Sequence, residues 1–381
     1  MSPDRGDRVV EATKASWRSQ PALVPVLAIL LALAVGAVVI FAVGVNPLEA
    51  YWALLRGMFG SGDRIAASLA RSTPFIGAAL AVAFAFRAGL FNIGAEGQLL
   101  IGATLAAWVG TWAFLQGWPG PILIPVVLVA GMVGGGLWGA IPGVLKAKTG
   151  AHEVITTIML NSIATLYVRW MVSSQDPIIL RDPAASVPRT RPISDNARLP
   201  TLVASQPPLH LGFVVMLALT VVVWFLLKRT TFGFQVKTVG TNAQAARYAG
   251  MDVARLTILV MVLAGAFAGL AGAGEVSGTT GFLSPGVFVG VGFDAIAIAL
   301  LARANPFGII LTSILWGSML SGAALMQQET GLSIDAVRII QALVLLFVAA
   351  DVIVRAVFRL RADVDHGAMD TTQLSSGWGS T

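Results

Sequence analysis

"RAGLFNIGAEGQLLIGA", residues 87 to 103, sets Arg87, Asn92, Glu96 and Gln98 among glycines, between two strongly apolar stretches. A helix in lipid must satisfy its own backbone, so a glycine-rich break is tolerated only where protein or water covers it. The stretch reads as a cytoplasmic-side break between the second and third spans of a membrane bundle. Asn92 is placed to cap a helix beginning near Ile93, and Glu96 in its first turn gains from the positive helix end. A plain inner loop with a cap would look the same. The functional alternative is a break that lines a solute path, as in transporters whose interrupted helices bind cargo.

Working outward, the chain of 381 residues is 56% hydrophobic and 12% charged, against about 25% charged in soluble proteins. It is therefore expected to be an all-α, polytopic transmembrane bundle. The first apolar run, Ala22 to Gly44, follows a basic segment like that of a signal peptide. Its 23 residues match the ~20 needed to cross a bilayer and exceed a signal core, so it reads as a retained anchor. Further spans are expected at 65–86, 97–115, 121–145, 153–172, 209–227, 256–276, 291–303, 306–326 and 336–356, which makes about ten. The span at 291–303 is short: 13 residues rise only ~20 Å, so it extends backwards or is half of a broken pair.

Arg87, Lys146, Lys148, Lys228, Arg229, Lys237, Arg247, Arg255 and Arg303, with basic residues near both termini, fall on one side. Counted over short loops, they place both termini in the cytoplasm. The chain then divides into a cytoplasmic segment 1–21, a transmembrane domain 22–358 and a polar cytoplasmic tail 359–381. Residues 173–208, with seven prolines, form an outer loop, and residues 228–255 form the longest cytoplasmic loop. Spans 2–5 and 7–10 suggest an inverted repeat. Each half carries one interruption, around "FNIGAEGQ" and "SGTTGFLSPGVFVGVGFD" (277 to 294).

The net charge of +6 is scattered over many loops, which argues against nucleic acid. With no cysteine and three isolated histidines, His152, His210 and His366, no metal site is expected. No serine-hydrolase elbow or Ser/His/Asp order appears, so no catalytic residues are expected. No glycine precedes a lysine, so there is no phosphate loop to hold ATP. Gly134, Gly136 and Gly139 match a dinucleotide fingerprint but lie inside an apolar span. Gly131, Gly135, Gly139 and Gly143, and likewise Gly265 and Gly269, recur every fourth residue and predict close helix packing.

"GLFNIGAEGQLLIGA" (89 to 103) and "GAHEVITTIMLNSIA" (150 to 164) resemble the two signatures of permease subunits of bacterial ABC importers. That family includes branched-chain amino acid, ribose and nucleoside permeases, and the pair looks most like the nucleoside and simple-sugar branch. The resemblance implies a ten-helix permease of the cell membrane that pairs with a second homologous permease, as a heterodimer. It further implies cargo delivered by an extracytoplasmic solute-binding lipoprotein and ATP bound and hydrolysed on separate ATPase subunits, so that this chain binds no cofactor. Nucleosides are the expected cargo and simple sugars of the ribose type the alternative.

Two groups of site residues follow. Asn92, Glu96, Gln98, Thr157 and Asn161 are expected to contribute to the inner part of the solute path; Thr157 and Asn161, four apart, share a helix face. In "QAARYAG" (244 to 250), Gln244, Ala245, Ala246, Arg247, Tyr248 and Gly250 resemble the loop by which such permeases dock on their ATPases, with Gln244 where Glu is usual. Thr241 and Gln244 read as a capping box opening that helix and Gly250 as its left-handed end. An ion-coupled secondary carrier, the rival reading, would place acidic or histidine relays deep in a span. Glu96, Glu153, Glu275, Asp294, Arg338 and Asp351 instead fall near expected span ends. Phe91 or Phe282 could stack on a base.

Overall fold

The computed structural model describes residues 23–349. The expected segments 1–21 and 359–381, the end of the tenth span and Asp351 lie outside the described residues. Residues 23–39 and 339–349 belong to one compact unit and Ile40–Arg338 form the other. Helices dominate: α1 (Leu23–Ala42), α2 (Pro47–Phe59), α3 (Gly62–Phe86), α4 (Ala95–Gly110), α5 (Gly120–Thr149), α6 (Glu153–Ser173) and α7 (Gly212–Arg229). They continue as α8 (Thr231–Thr241), α9 (Ala243–Tyr248), α10 (Val253–Glu275), α11 (Val291–Leu301), α12 (Pro306–Thr330) and α13 (Asp335–Ala349). A small antiparallel hairpin, β1 (Thr201–Val203) with β2 (Leu209–His210), is an addition to the expected all-α fold.

This is a multi-pass membrane protein. Among the described residues six helices are long and apolar enough to cross a bilayer, or seven if Val26–Ala42 and Pro47–Phe59 count as one interrupted span. Each of the ten expected spans overlaps a helix. The 97–115 span ends early, at Gly110, because Trp112 turns into a short 3-10 segment at Ala113–Leu115. α2, which has no counterpart among the expected spans, starts where Asn46 accepts the Leu48 N–H and Pro47 opens the helix. Its Ala50, Ala53 and Leu54 are buried, while the charged Glu49 and Arg56 and the apolar Leu48 and Trp52 are exposed.

Helices α3 and α10 are the axis of the larger unit: 83% of the α3 span is buried, against 28% for α6. α3 packs on α12 and α10 on α5, while α3 also meets α11 and α10 meets α4. Small residues permit these crossings. A Cβ at Gly135 would run into the Gly265 carbonyl oxygen, at Gly269 into that of Gly131, and at Gly139 into that of Met261. The every-fourth glycines of α5 and α10 thus bring two backbones together, as expected from their spacing. Gly102 of α4 meets the Gly269 Cα, and Gly317 of α12 meets the backbone at Ser72 in the same way.

Without a hydrophobic drive between helices in lipid, such contacts carry the stability. Gly135→Leu should therefore lower the thermal midpoint of the purified protein sharply, since overpacking alone costs roughly 1–3 kcal/mol and here the obstacle is backbone. Gly117→Ala, where an added Cβ meets nothing within 4 Å, should leave the midpoint unchanged. Equal behaviour of the two variants would contradict the packing account.

Candidate functional site

The candidate site is built on two breaks, one between α3 and α4 and one between α10 and α11. In the first, α3 ends at Phe86 and the chain turns through Gly89, whose φ of +71° requires glycine. The helix that follows begins at Ala95, two residues later than expected, and its own N-cap residue, Gly94, supplies no side chain. Asn92 therefore does not cap it directly. The Asn92 Oδ1 accepts the Gly94 N–H at 3.1 Å, and its amide pairs reciprocally with Gln98, at 2.9 and 3.1 Å.

The cap comes instead from another helix. Asn161, on α6, accepts the Gly97 N–H at 2.9 Å through Oδ1 and donates through Nδ2 to the Ile93 carbonyl at 2.9 Å. Thr157, one turn away, donates to the Glu153 carbonyl at 2.7 Å and packs against Gly94. Glu153 takes Lys146 at 2.8 Å and so ties the end of α5 to the start of α6. All five residues expected along the path lie together and are buried: Asn92, Gln98 and Asn161 bond to one another or to the backbone of the break, Thr157 bonds back to its own helix, and Glu96 bonds to the second break.

Glu96 reaches furthest. Its Oε1 accepts the Gly290 N–H and its Oε2 the Gly292 N–H, each at 2.8 Å. Both donors belong to the N-terminus of α11, so the carboxylate caps that helix and not its own. The first N–H groups of a helix have no internal partner and carry partial positive charge, which an anion satisfies. Gly292 is required by this approach, because a Cβ there would overlap the Glu96 backbone.

At the other end of the same helix, Arg87 donates to the Ala304 carbonyl from Nη2 at 2.8 Å and Nε at 3.3 Å, and to the Arg303 carbonyl at 3.4 Å. Arg303 and Ala304 have φ of +50° and +51°. Side-chain-bearing residues pay on the order of 1–3 kcal/mol each for that region. Sequence reasoning missed the role of Arg87, and the signal for it was its place at the edge of the break.

The second break descends through a π turn at Val276–Thr280 and a loop to Gly290. The proline-rich strap covers it. Backbone N–H groups of Leu199, Ile193 and Thr190 donate to the carbonyls of Ser277, Gly281 and Leu283, while the Thr190 hydroxyl accepts from Leu283 N–H at 3.0 Å. Arg198 donates to the Thr280 carbonyl, and Arg189 lies 4.8 Å over the Phe282 ring. One face of Phe282 is thus occupied, and Phe91 packs on Phe86 at 5.0 Å.

His210, fully buried, accepts the Gly212 N–H at 3.1 Å through Nδ1 and meets the Thr279 hydroxyl at 3.2 Å through Nε2. Burial pushes its pKa down to about 4. Beside the strap, a cleft of about 600 Å³ is lined by Thr165, Arg169 and Ser173 of α6 and by Ser284 and Gly286 of the second break.

The loop between α7 and α10 contains two short helices. Asn242, not Thr241, caps α9, accepting from Gln244 and Ala245 N–H at 2.9 and 3.0 Å. Thr241 is still the last residue of α8, and its hydroxyl turns back to the Lys237 carbonyl, so no Thr241–Gln244 box forms. Gly250, at φ +78°, ends the turn as expected. Ala246 faces inward, in a cluster with Val239 and Leu256. Gln244, Ala245, Arg247, Tyr248 and Gly250 are exposed, Tyr248 at 93%.

A family model described as branched-chain amino acid transport system / permease component matches residues 64–349. The guanosine ABC transporter permease protein of Bacillus subtilis (strain 168) is 43% identical over 88% of this chain and 95% of its own. A glucose ABC transporter permease protein of Haloferax volcanii is 36% identical over 85% and 86%. A nucleoside ABC transporter permease protein of Lactococcus lactis subsp. cremoris is 35% identical over 88% and 93%. No solved structure matches.

The His210 site makes the strap sensitive to acid. Because the imidazole is protonated more readily in the unfolded chain, stability is complete above pH ~6.5 and is lost as pH falls towards about 4, by about 3 kcal/mol in all. Hydrogen exchange of residues 190–211, corrected for intrinsic rates, should accelerate between pH 7.5 and 5, and His210→Gln should flatten that dependence. A pH-independent wild-type strap would contradict the assignment.

Proposed function

The chain belongs to the branched-chain amino acid transport system permease family, and we propose on that premise that it forms one side of the solute path of a nucleoside importer. The observation that carries this reading is the 43% identity with a guanosine permease across 88% of the chain. The nucleoside permease of Lactococcus supports it, and the glucose permease of Haloferax keeps simple sugars as the second reading.

Ten crossings with both termini inside fit the distribution of basic residues. The inverted repeat of spans 2–5 and 7–10 is supported by the packing pairs. Span 2 (α3) lies on span 9 (α12), and span 7 (α10) lies on span 4 (α5), the exchange that such a repeat requires. The two breaks also follow corresponding spans, 2 and 7.

In this reading solute enters by the cleft beside the strap, whose Thr165, Ser173 and Ser284 hydroxyls suit a hydroxyl-bearing ligand, and its volume falls in the range of about 300–1,000 Å³ usual for small molecules. Asn92, Glu96, Gln98, Thr157 and Asn161 contribute to the inner path by holding the backbone of its wall. The exposed face of α9, Gln244, Ala245, Arg247, Tyr248 and Gly250, docks on the ATPase subunits that bind ATP, while Ala246 anchors that helix to the permease. The solute-binding lipoprotein meets the strap side. The second permease of a heterodimer meets α6, whose Ile155, Met159, Leu166 and Trp170 are exposed.

Uptake of labelled guanosine by cells expressing the whole complex, in competition with excess nucleosides, ribose, glucose and branched-chain amino acids, tests the cargo. Inhibition by nucleosides alone is expected. Inhibition by ribose or glucose but not by nucleosides would overturn the nucleoside assignment and leave the family in place.

A further inference from the structure

The half-helix α11 is held at both ends by one short segment of chain. With 11 residues it is below the ~12–15 at which a helix persists alone. Its two termini expose unpaired N–H and C=O groups that need outside partners. The N–H groups of Gly290 and Gly292 find Glu96, and the carbonyls of Arg303 and Ala304 find Arg87. Anion at the N-terminus and cation at the C-terminus is the arrangement the helix dipole favours. Since both partners lie in residues 87–96, that segment and α11 move together.

The same segment touches the loop read as docking on the ATPase. A Cβ at Gly240 would overlap the Arg87 carbonyl oxygen and lie 2.9 Å from the Ala88 carbonyl carbon; a Cβ at Gly89 would lie 3.2 Å from the Gly240 carbonyl oxygen. Gly240 is in the last turn of α8, and Asn242, which ends that helix, also caps α9. A displacement of α9 by the ATPase therefore bears directly on the backbone of Arg87. Its guanidinium in turn holds the left-handed turn at Arg303 and Ala304, a conformation that side-chain-bearing residues leave when the contact holding it is withdrawn.

We propose that Arg87 is the positioning residue through which the docking loop governs α11, by gripping the carbonyls of the Arg303–Ala304 turn while its own backbone rests on Gly240. The proposal rests on the permease reading above and adds a residue to it. Arg87 acts through the backbone carbonyls it holds; it sets where α11 stands in each state of the motor.

The test uses the assembled complex, with its ATPase and second permease, in proteoliposomes. Arg87→Gln removes the charge and most of the grip, and Arg87→Lys keeps the charge without the fork. ATP hydrolysis, uptake of labelled guanosine and the thermal midpoint are measured on the same preparations. Arg87→Gln should keep hydrolysis within about twofold and the midpoint within a few degrees, while uptake per ATP falls at least tenfold; Arg87→Lys should fall between.

Because the chain has no cysteine, V289C and L311C can be spin-labelled on the purified permease before it is assembled with its partners, and the labels report the position of α11 without reference to cargo. Both sites are exposed. Their separation should change with nucleotide in the wild-type complex and stay fixed in Arg87→Gln. The proposal is overturned if the change persists in Arg87→Gln, if the wild-type complex shows none, or if hydrolysis, stability and uptake fall together. Wild-type liposomes whose labels respond to nucleotide but which take up no guanosine would instead count against the cargo reading alone.

Discussion

A carboxylate bonded to two backbone N–H groups, Glu96 on Gly290 and Gly292, joins the break after α3 to the break after α10. The constraint behind it is general: in hydrocarbon no water is at hand, and each unsatisfied peptide group costs several kcal/mol. A chain that breaks its helices must supply partners from elsewhere. Here the first break supplies the partner for the second. The first is in turn closed by Asn161 from α6 and by the Asn92–Gln98 pair, and the descent into the second is closed by the strap from Thr190 to His210.

Those bonds require close approach, and close approach requires small residues. Gly292 lets the α11 N-terminus reach the Glu96 backbone, Gly97 sits against Asn161, and the Gly131–Gly143 ladder seats α5 on α10. Packing and polar satisfaction are thus one problem in this fold. The glycines that bring backbones together also place donors within reach of the few buried polar side chains. A permease needs this economy, since its interrupted segments have to stay ordered while leaving a route for a polar solute.

Much of this was legible in the sequence, and the rest was hidden for identifiable reasons. Apolar runs give the helices, and the every-fourth glycines give two close-packing faces, because both are local periodicities; that the two faces meet each other comes from the structure. Asn92, Glu96, Gln98, Thr157 and Asn161 stand out as polar residues where polar residues are costly, and they do gather in one place. Their partners could not be read. Glu96 bonds 194 and 196 residues away and Asn161 bonds 64 and 68 residues away, and no local pattern encodes such separations. Nearby choices also failed where two residues compete: Thr241 and Asn242 are both good caps, and Asn242 won because it accepts two N–H groups at once. Ala246 was grouped with the residues of the docking loop, but only one side of a six-residue helix can face out, and the cluster around Leu256 claimed it.

The most direct measurement is a cryo-electron microscopy structure of the assembled complex in lipid nanodiscs, at a resolution that places side chains, without nucleotide. The account predicts the Glu96 carboxylate at hydrogen-bond distance from the Gly290 and Gly292 amides, near the 2.8 Å found here. It also predicts a helix that begins at Val291 and is capped by nothing else. A Glu96 side chain turned away from α11, with the Gly290–Gly292 amides bonded to other groups or to water, would contradict it.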